Sequence, residues 1–209
     1  MAGVPTNESK HRIKKKRWLI VGEGRETEYN YFEAMRHDAD VGERFVLVVK
    51  KGPGRDQETI VRKAVKFKDA AMKSKEHYDE YWCVLDVEES AKSVSLRKAV
   101  VLAQANDLSL CLSNPAFEIW LLLHFERKAP HYQDCAAVVA ELDKQWPAVF
   151  KNRYDKSERR IFERLRTRLP EAIKNAEWLL ETQRQQASIP DCNPSTDVHR
   201  LVKRLLPDL

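Results

Sequence analysis

The stretch WLIVGEGRETEYNYF, residues 18–32, decides the fold. Trp18 to Val21 form a short apolar run of the kind that makes a buried strand. Gly22-Glu23-Gly24 ends it, and Thr27 is the expected cap of a helix running through Tyr31, Phe32 and Met35. The same sentence is repeated downstream. FVLVV (45–49) reads as a second buried strand, closed by Lys51-Gly52-Pro53-Gly54. A helix over 57–75 follows, with Ile60, Val61, Ala64, Val65 and Phe67 on one face. YWCVL (81–85) is the third strand and runs into Asp86-Val87-Glu88-Glu89; residues 93–105 are helical; LSLCL (108–112) is the fourth. Asn114-Pro115 then leads into an apolar helix, 117–125. Short strands that are apolar on both faces, alternating with helices, predict an α/β fold: an open, mainly parallel four-stranded sheet flanked by helices.

Residues 131–209 offer no convincing strand. They read as helices over 133–145, 157–185 and 196–206, interrupted at Pro147, Pro190 and Pro194, with Ser195 or Thr196 as the last N-cap. The expected organisation is a basic tail over 1–17, disordered alone, a core over 18–130, and a C-terminal helical extension over 131–209 packed on that core.

Composition narrows the class. Of 209 residues, 43% are hydrophobic and 33% charged, with 6 Gly and 9 Pro, which excludes collagen-like and low-complexity chains. No apolar run is long enough to span a bilayer, and the opening MAGVPTNESKHRIKKKR lacks the apolar region of a secretory signal. The four cysteines are scattered with no C-x-x-C pair, so neither a disulfide framework nor a zinc knuckle is encoded. A cytoplasmic protein with reduced thiols and no membrane partner is the expectation. The net charge of +5 resides in residues 1–17, leaving a neutral but patterned body. Residues 76–90 hold six acids and no Lys or Arg, whereas 153–168 hold seven bases against three acids. Acids beside bases suit a metal-dependent enzyme acting on a polyphosphate; solvated helix faces explain the basic run equally well.

In an open parallel sheet, ligands bind beyond the carboxyl ends of the strands. Glu23 follows strand one, Lys51 and Arg55 strand two, Asp86 and Glu88 strand three, and Asn114 and Glu118 strand four. Carboxylates gathered there repel one another unless a divalent ion intervenes, and an all-oxygen set favours Mg²⁺ or Mn²⁺ over zinc. Asp86-x-Glu88 presents both side chains on one side of an extended segment. Each piece also has a plain reading: Glu23 as an acid at a helix N-terminus, Asp86-x-Glu88 as an exposed loop, Lys51 and Arg55 as turn residues. His124, in WLLLHF, reads as a core or interface histidine, and Trp120, Trp146 and Trp178 as core aromatics. Gly22-x-Gly24 is too short for a dinucleotide fingerprint, and no P-loop is present.

Four stretches carry a resemblance: IVGEGRETEYNYF (20–32), VLDVEES (84–90), LSNPAFEIWLLLHF (112–125) and NPSTDVHRLV (193–202). With them the chain resembles the RloB-like family, a group related to Toprim proteins. The resemblance implies a Toprim-like core in which Glu23 matches the acid after the first strand and Asp86 the leading Asp of a D-x-D after the third. Glu88 stands where that pattern has Asp, one methylene further out. Also implied is a Mg²⁺- or Mn²⁺-dependent nuclease centre with Glu23, Asp86 and Glu88 as catalytic and metal residues; from its place beyond strand four Glu118 is expected as a further ligand, with Asn114 and Arg25 in support. Lys51, Arg55, Arg159 and Arg160 are the expected contacts to the backbone of DNA or RNA, tRNA among the targets. The resemblance implies relatives in bacterial restriction and phage-defence loci, typically beside a gene for an ABC-type ATPase. The alternatives are a degenerate Toprim-like sensor module that regulates such an ATPase, and, more distantly, a receiver-like phosphoacceptor. A homodimer is compatible with either role.

Overall fold

β1 (Lys16–Gly22) sits inside the sheet, with β2 (Phe45–Lys51) on one side and β3 (Glu80–Asp86) on the other. The computed structural model describes residues 14–24, 26–54, 56–87, 93–184 and 191–209. Arg25, Arg55 and Glu88, and most of the basic tail, lie outside the described residues. β4 (Ser109–Asn114) pairs parallel with β3, and β5 (Ser195–Thr196) pairs antiparallel with β4, giving the order β2-β1-β3-β4-β5. The sheet is therefore open and mainly parallel, as the repeated strand–helix pattern implies, with a short fifth strand at its edge.

Alternation along each strand builds two cores. Leu19, Val21, Tyr81, Cys83, Leu85 and Leu112 face α3 (Gln57–Lys73) and α4 (Val94–Ala105), against Ile60, Val61, Ala64, Leu96, Ala99 and Ala103. Trp18, Ile20, Leu47, Val49, Trp82, Val84 and Cys111 face the opposite way. The core on that side is completed by α1 (Thr27–Met35), α5 (Glu118–Leu122), α6 (Cys135–Phe150), α7 (Ile161–Leu165), α8 (Leu169–Arg184) and α9 (Val198–Leu205), with α6 packed on α5 and α7 on α1. Burial on both faces is why the strands read as unbroken apolar runs. Among the described residues, no helix is long and apolar enough to cross a membrane.

Several local expectations change. The two residues expected to cap the last helix form β5: Asn114 pairs with Ser195 and Ser113 with Thr196, whose hydroxyls lie 2.8 Å apart. The N-cap of α9 is Asp197 instead. The apolar 117–125 segment contains only the five-residue α5. The long helix over 157–185 is broken into α7, a 3₁₀ turn at Arg166–Arg168, and α8. Pro147 lies inside α6, which continues to Phe150. Fully buried Trp146 packs on Phe150 with ring centroids 4.7 Å apart, holding the turn that lacks the proline amide hydrogen. A short α2 (Ala39–Arg44), capped by Asp38 accepting from the Asp40 and Val41 amides, was not expected.

Candidate active site

Gly22, Lys51, Asp86 and Asn114 end the four parallel strands at one edge of the sheet. Successive strands leave β1 in opposite directions, so the crevice between β1 and β3 is the switch point where such sheets take ligands. Glu23 and Asp86 flank it. The Glu23 amide donates to Val84 O at 3.0 Å, carrying the ladder one residue past β1. Glu23 Oε2 then accepts from the Asp86 amide at 2.8 Å. Asp86 Oδ1 accepts from the Phe117 amide at 2.9 Å, and Gln57 Nε2 donates to Asp86 O at 2.9 Å. Gly52, just past β2, lies against this turn: a Cβ there would sit 2.2 Å from Gly22 O and 2.5 Å from Glu23 O, so only glycine fits.

Two more carboxylates come close. Glu118, at the start of α5, is buried; its Oε1 accepts from Thr27 Oγ1 at 3.2 Å and Tyr154 OH at 3.1 Å, and Lys156 Nζ lies 3.2 Å away. Its Oε2 is 3.5 Å from Cys135 Sγ. Thr27 thus turns its hydroxyl toward the acids instead of capping α1, whose N-cap is Glu26. Glu28, in the first turn of α1, is the fourth acid, and sequence reasoning missed it. A Cβ on Gly24 would sit 2.5 Å from Glu28 Oε2, so the glycine makes room for this carboxylate. That pairing, a small residue one helical turn before an acid in GEGRETE, was the signal available. Tyr154, Lys156 and Cys135 were missed as well, because they arrive from a distant helical segment.

The electrostatics register the crowding. Burial pushes the Glu28 carboxyl up to about 7, with Glu118 adding to the rise while its own and the Gly24 backbone amide and Lys156 oppose it. Asp86 is raised well above the usual carboxyl range, by burial first and then by Glu28, Glu118 and Glu23, against the donation from Phe117. Burial and Glu118 push the Cys135 thiol up to about 12, so it is a thiol at neutral pH and no nucleophile.

Glu23 and Asp86 suit a hard divalent cation: both offer carboxylate oxygen at the switch point, and Mg²⁺ is commonly held by one or two carboxylates with water and phosphate completing its shell. Among the described residues, no group of three or more His, Cys, Asp or Glu side chains is disposed to hold a metal ion, and Glu88 falls outside them. Glu118 fits less well, since hydroxyls, a thiol and an ammonium already surround it.

The family model for RloB-like proteins matches residues 18–205, nearly the whole chain and every element from β1 to α9. The chain belongs to the RloB-like family. No curated protein and no solved structure matches it.

In this RloB-like protein the other expected contacts are dispersed. Lys51 ends β2 with its Nζ 4.5 Å from the centroid of the Tyr29 ring, one residue from Glu28. Asn114 is buried at the end of β4 beside β5. Arg160 is tied to Glu163 at 2.7 Å, whereas Arg159 is exposed and makes no ion pair among the described residues. Much of the basic run serves intramolecular pairs: Arg164 with Glu158 at 2.8 Å, Arg166 with Asp38 at 2.8 Å and Asp40 at 2.7 Å. His124 is a core residue. Its Nδ1 lies 2.9 Å from Trp120 O, and burial lowers its pKa to about 4, so it is neutral. Trp120 and Trp146 are fully buried.

Proposed function

We propose that this RloB-like protein is a Mg²⁺- or Mn²⁺-dependent endonuclease that cleaves phosphodiester bonds in DNA or RNA, tRNA included, as the Toprim-like effector of an anti-phage defence system. The observation that carries this reading is the meeting of Glu23 and Asp86, 63 residues apart in the chain, across the β1/β3 switch point, with Glu28 alongside. Glu23 and Asp86, with Glu88, would hold the ion. The bound ion supplies positive charge where the phosphate becomes more anionic in the in-line transition state. Glu23, whose Oε2 accepts from the Asp86 amide, would orient the attacking water or the leaving oxygen. Lys51 and Arg159, together with Arg55, would bind backbone phosphates without reading bases.

A second reading draws on one observation, the Lys156 ammonium beside Glu118. A side-chain cation within an acid cluster also suits a module that regulates an ABC-type ATPase partner and cuts nothing. The experiment expresses the protein in cells, together with an ABC-type ATPase if its locus encodes one, and follows the integrity of DNA and tRNA. Cleavage that disappears in Glu23→Gln and in Asp86→Asn supports the nuclease. Cleavage that survives the double variant rules this edge out as its centre, and intact ATPase binding without any cleavage establishes the regulatory module.

A further inference from the structure

Lys156 lies between α6 and α7, in a run of bases of which Arg160, Arg164 and Arg166 pair with acids on or near the surface. Its own partner is different. The Glu118 side chain is 3% exposed, and the Lys156 chain, 45% exposed, reaches in from solvent to place Nζ 3.2 Å from Oε1. The same Nζ donates to Cys135 Sγ at 3.3 Å. Burial works against the Lys156 charge, but Glu118 and Cys135 more than offset it and the pKa is raised. Thr27 Oγ1 and Tyr154 OH approach Glu118 at 3.2 and 3.1 Å, so the carboxylate is held in place to receive the ammonium.

A divalent ion bound to Glu118 would lie about 2.1 Å from a carboxylate oxygen. An ammonium 3.2 Å from that carboxylate and a doubly charged ion on it would be within a few ångström of each other. At a partly buried position two cations that close repel each other strongly, because little solvent screens them. The two cations are therefore alternatives.

We propose that Lys156 is the resident second cation of this site: it occupies the place at Glu118 with an ammonium, and confines divalent ion binding to a single position at Glu23 and Asp86. The single ion rests on the nuclease reading given above; the occupancy of Glu118 by Lys156 does not. A charge delivered by the chain is present before any ion arrives and is independent of its concentration. Ion dependence is accordingly that of one site.

Counting bound Mn²⁺ tests this without reference to activity, by titrating the full chain and following the free-ion electron paramagnetic resonance signal. Wild type is expected to bind one ion and Lys156→Met two, with the count returning to one in the Glu118→Gln, Lys156→Met double variant. Lys156→Arg keeps the charge and the count of one. Lys156→Gln provides the same comparison should the Met variant fold poorly. No added ion on losing Lys156, or an added ion that survives loss of Glu118, overturns the proposal. Two ions in wild type overturn it too and leave the metal-dependent reading standing. No ion in wild type, with one gained in Lys156→Met and lost again in the double variant, supports Lys156 and removes the ion from Glu23 and Asp86.

Discussion

Glu28 shows how a single side chain sets the chemistry of this edge. Its ordinary carboxyl value of 4.5 rises to about 7 in the folded protein. The native state therefore holds that proton more tightly than the unfolded chain does. Between pH 4.5 and about 7 native stability falls as pH rises, by about 3 kcal/mol for a shift of that size. Asp86, raised for the same reasons, acts in the same direction. In metal-free buffer the melting temperature should drop from pH 5.5 to pH 8, and Glu28→Gln should flatten that drop. An identical slope in the variant would show that Glu28 carries no such strain. Added Mn²⁺ should recover stability at pH 8, because a ligand bound only by the native state stabilises by mass action. Asp86→Asn should remove most of that gain; an unchanged Mn²⁺ response would move the ion elsewhere. Glu23 and Asp86 were legible in the sequence because each follows a strand that announces itself. Glu28 was not, since an acid in a first helical turn looks like any residue favoured by the helix dipole. What marks it out is the bare Gly24 backbone opposite its carboxylate, a relation that exists only once the turn has closed.

At the scale of elements, strands and helices with a strong local pattern were readable and the short connections were not. β1 to β4 needed only their apolar runs. β5 spans two residues and exists because Ser113 and Thr196, 83 positions apart, share a buried hydroxyl pair, which no local periodicity encodes. Thr27 likewise has the composition of a cap, but tertiary contacts draw its hydroxyl to Glu118. The turn after β2 offers a test of how elements support the site. Gly52→Ala would place a methyl group against two backbone oxygens of the Gly22-Glu23 turn, neither of which can swing away. The expected cost is about 1–3 kcal/mol, with a weakened Mn²⁺ response because Glu23 is displaced. Gly54 is the control. Its φ of +64° disfavours a side chain, yet nothing lies within 4 Å of a Cβ there. Gly54→Ala should cost about 1–2 kcal/mol and leave the Mn²⁺ response intact. Equal ion responses in the two variants would mean that the end of β2 does not position Glu23.

For the molecule as a whole, the decisive question is whether the segment after residue 130 is an appendage or part of the fold. One face of the sheet presents Trp18, Ile20 and Val84 to a core that also contains Trp146, Ile161, Leu165, Leu201 and Leu205, all fully buried. Burying a large apolar side chain contributes roughly 1.5–3 kcal/mol, and a domain's net stability is only about 5–15 kcal/mol. A chain ending at residue 130 would lose half of the buried residues of that core and with them more than its whole margin. The same cut removes Cys135, Tyr154 and Lys156 from Glu118, leaving a buried carboxylate without its cation. The 1–130 fragment should therefore show no cooperative thermal transition and poor amide dispersion, whereas the full chain should melt in one step. Two separable transitions in the full chain, or a fragment that melts cooperatively, would show instead that the α3/α4 face alone sustains the sheet. In that event the acid edge could be assembled without the helical segment, and Lys156 would be an addition to a site already complete.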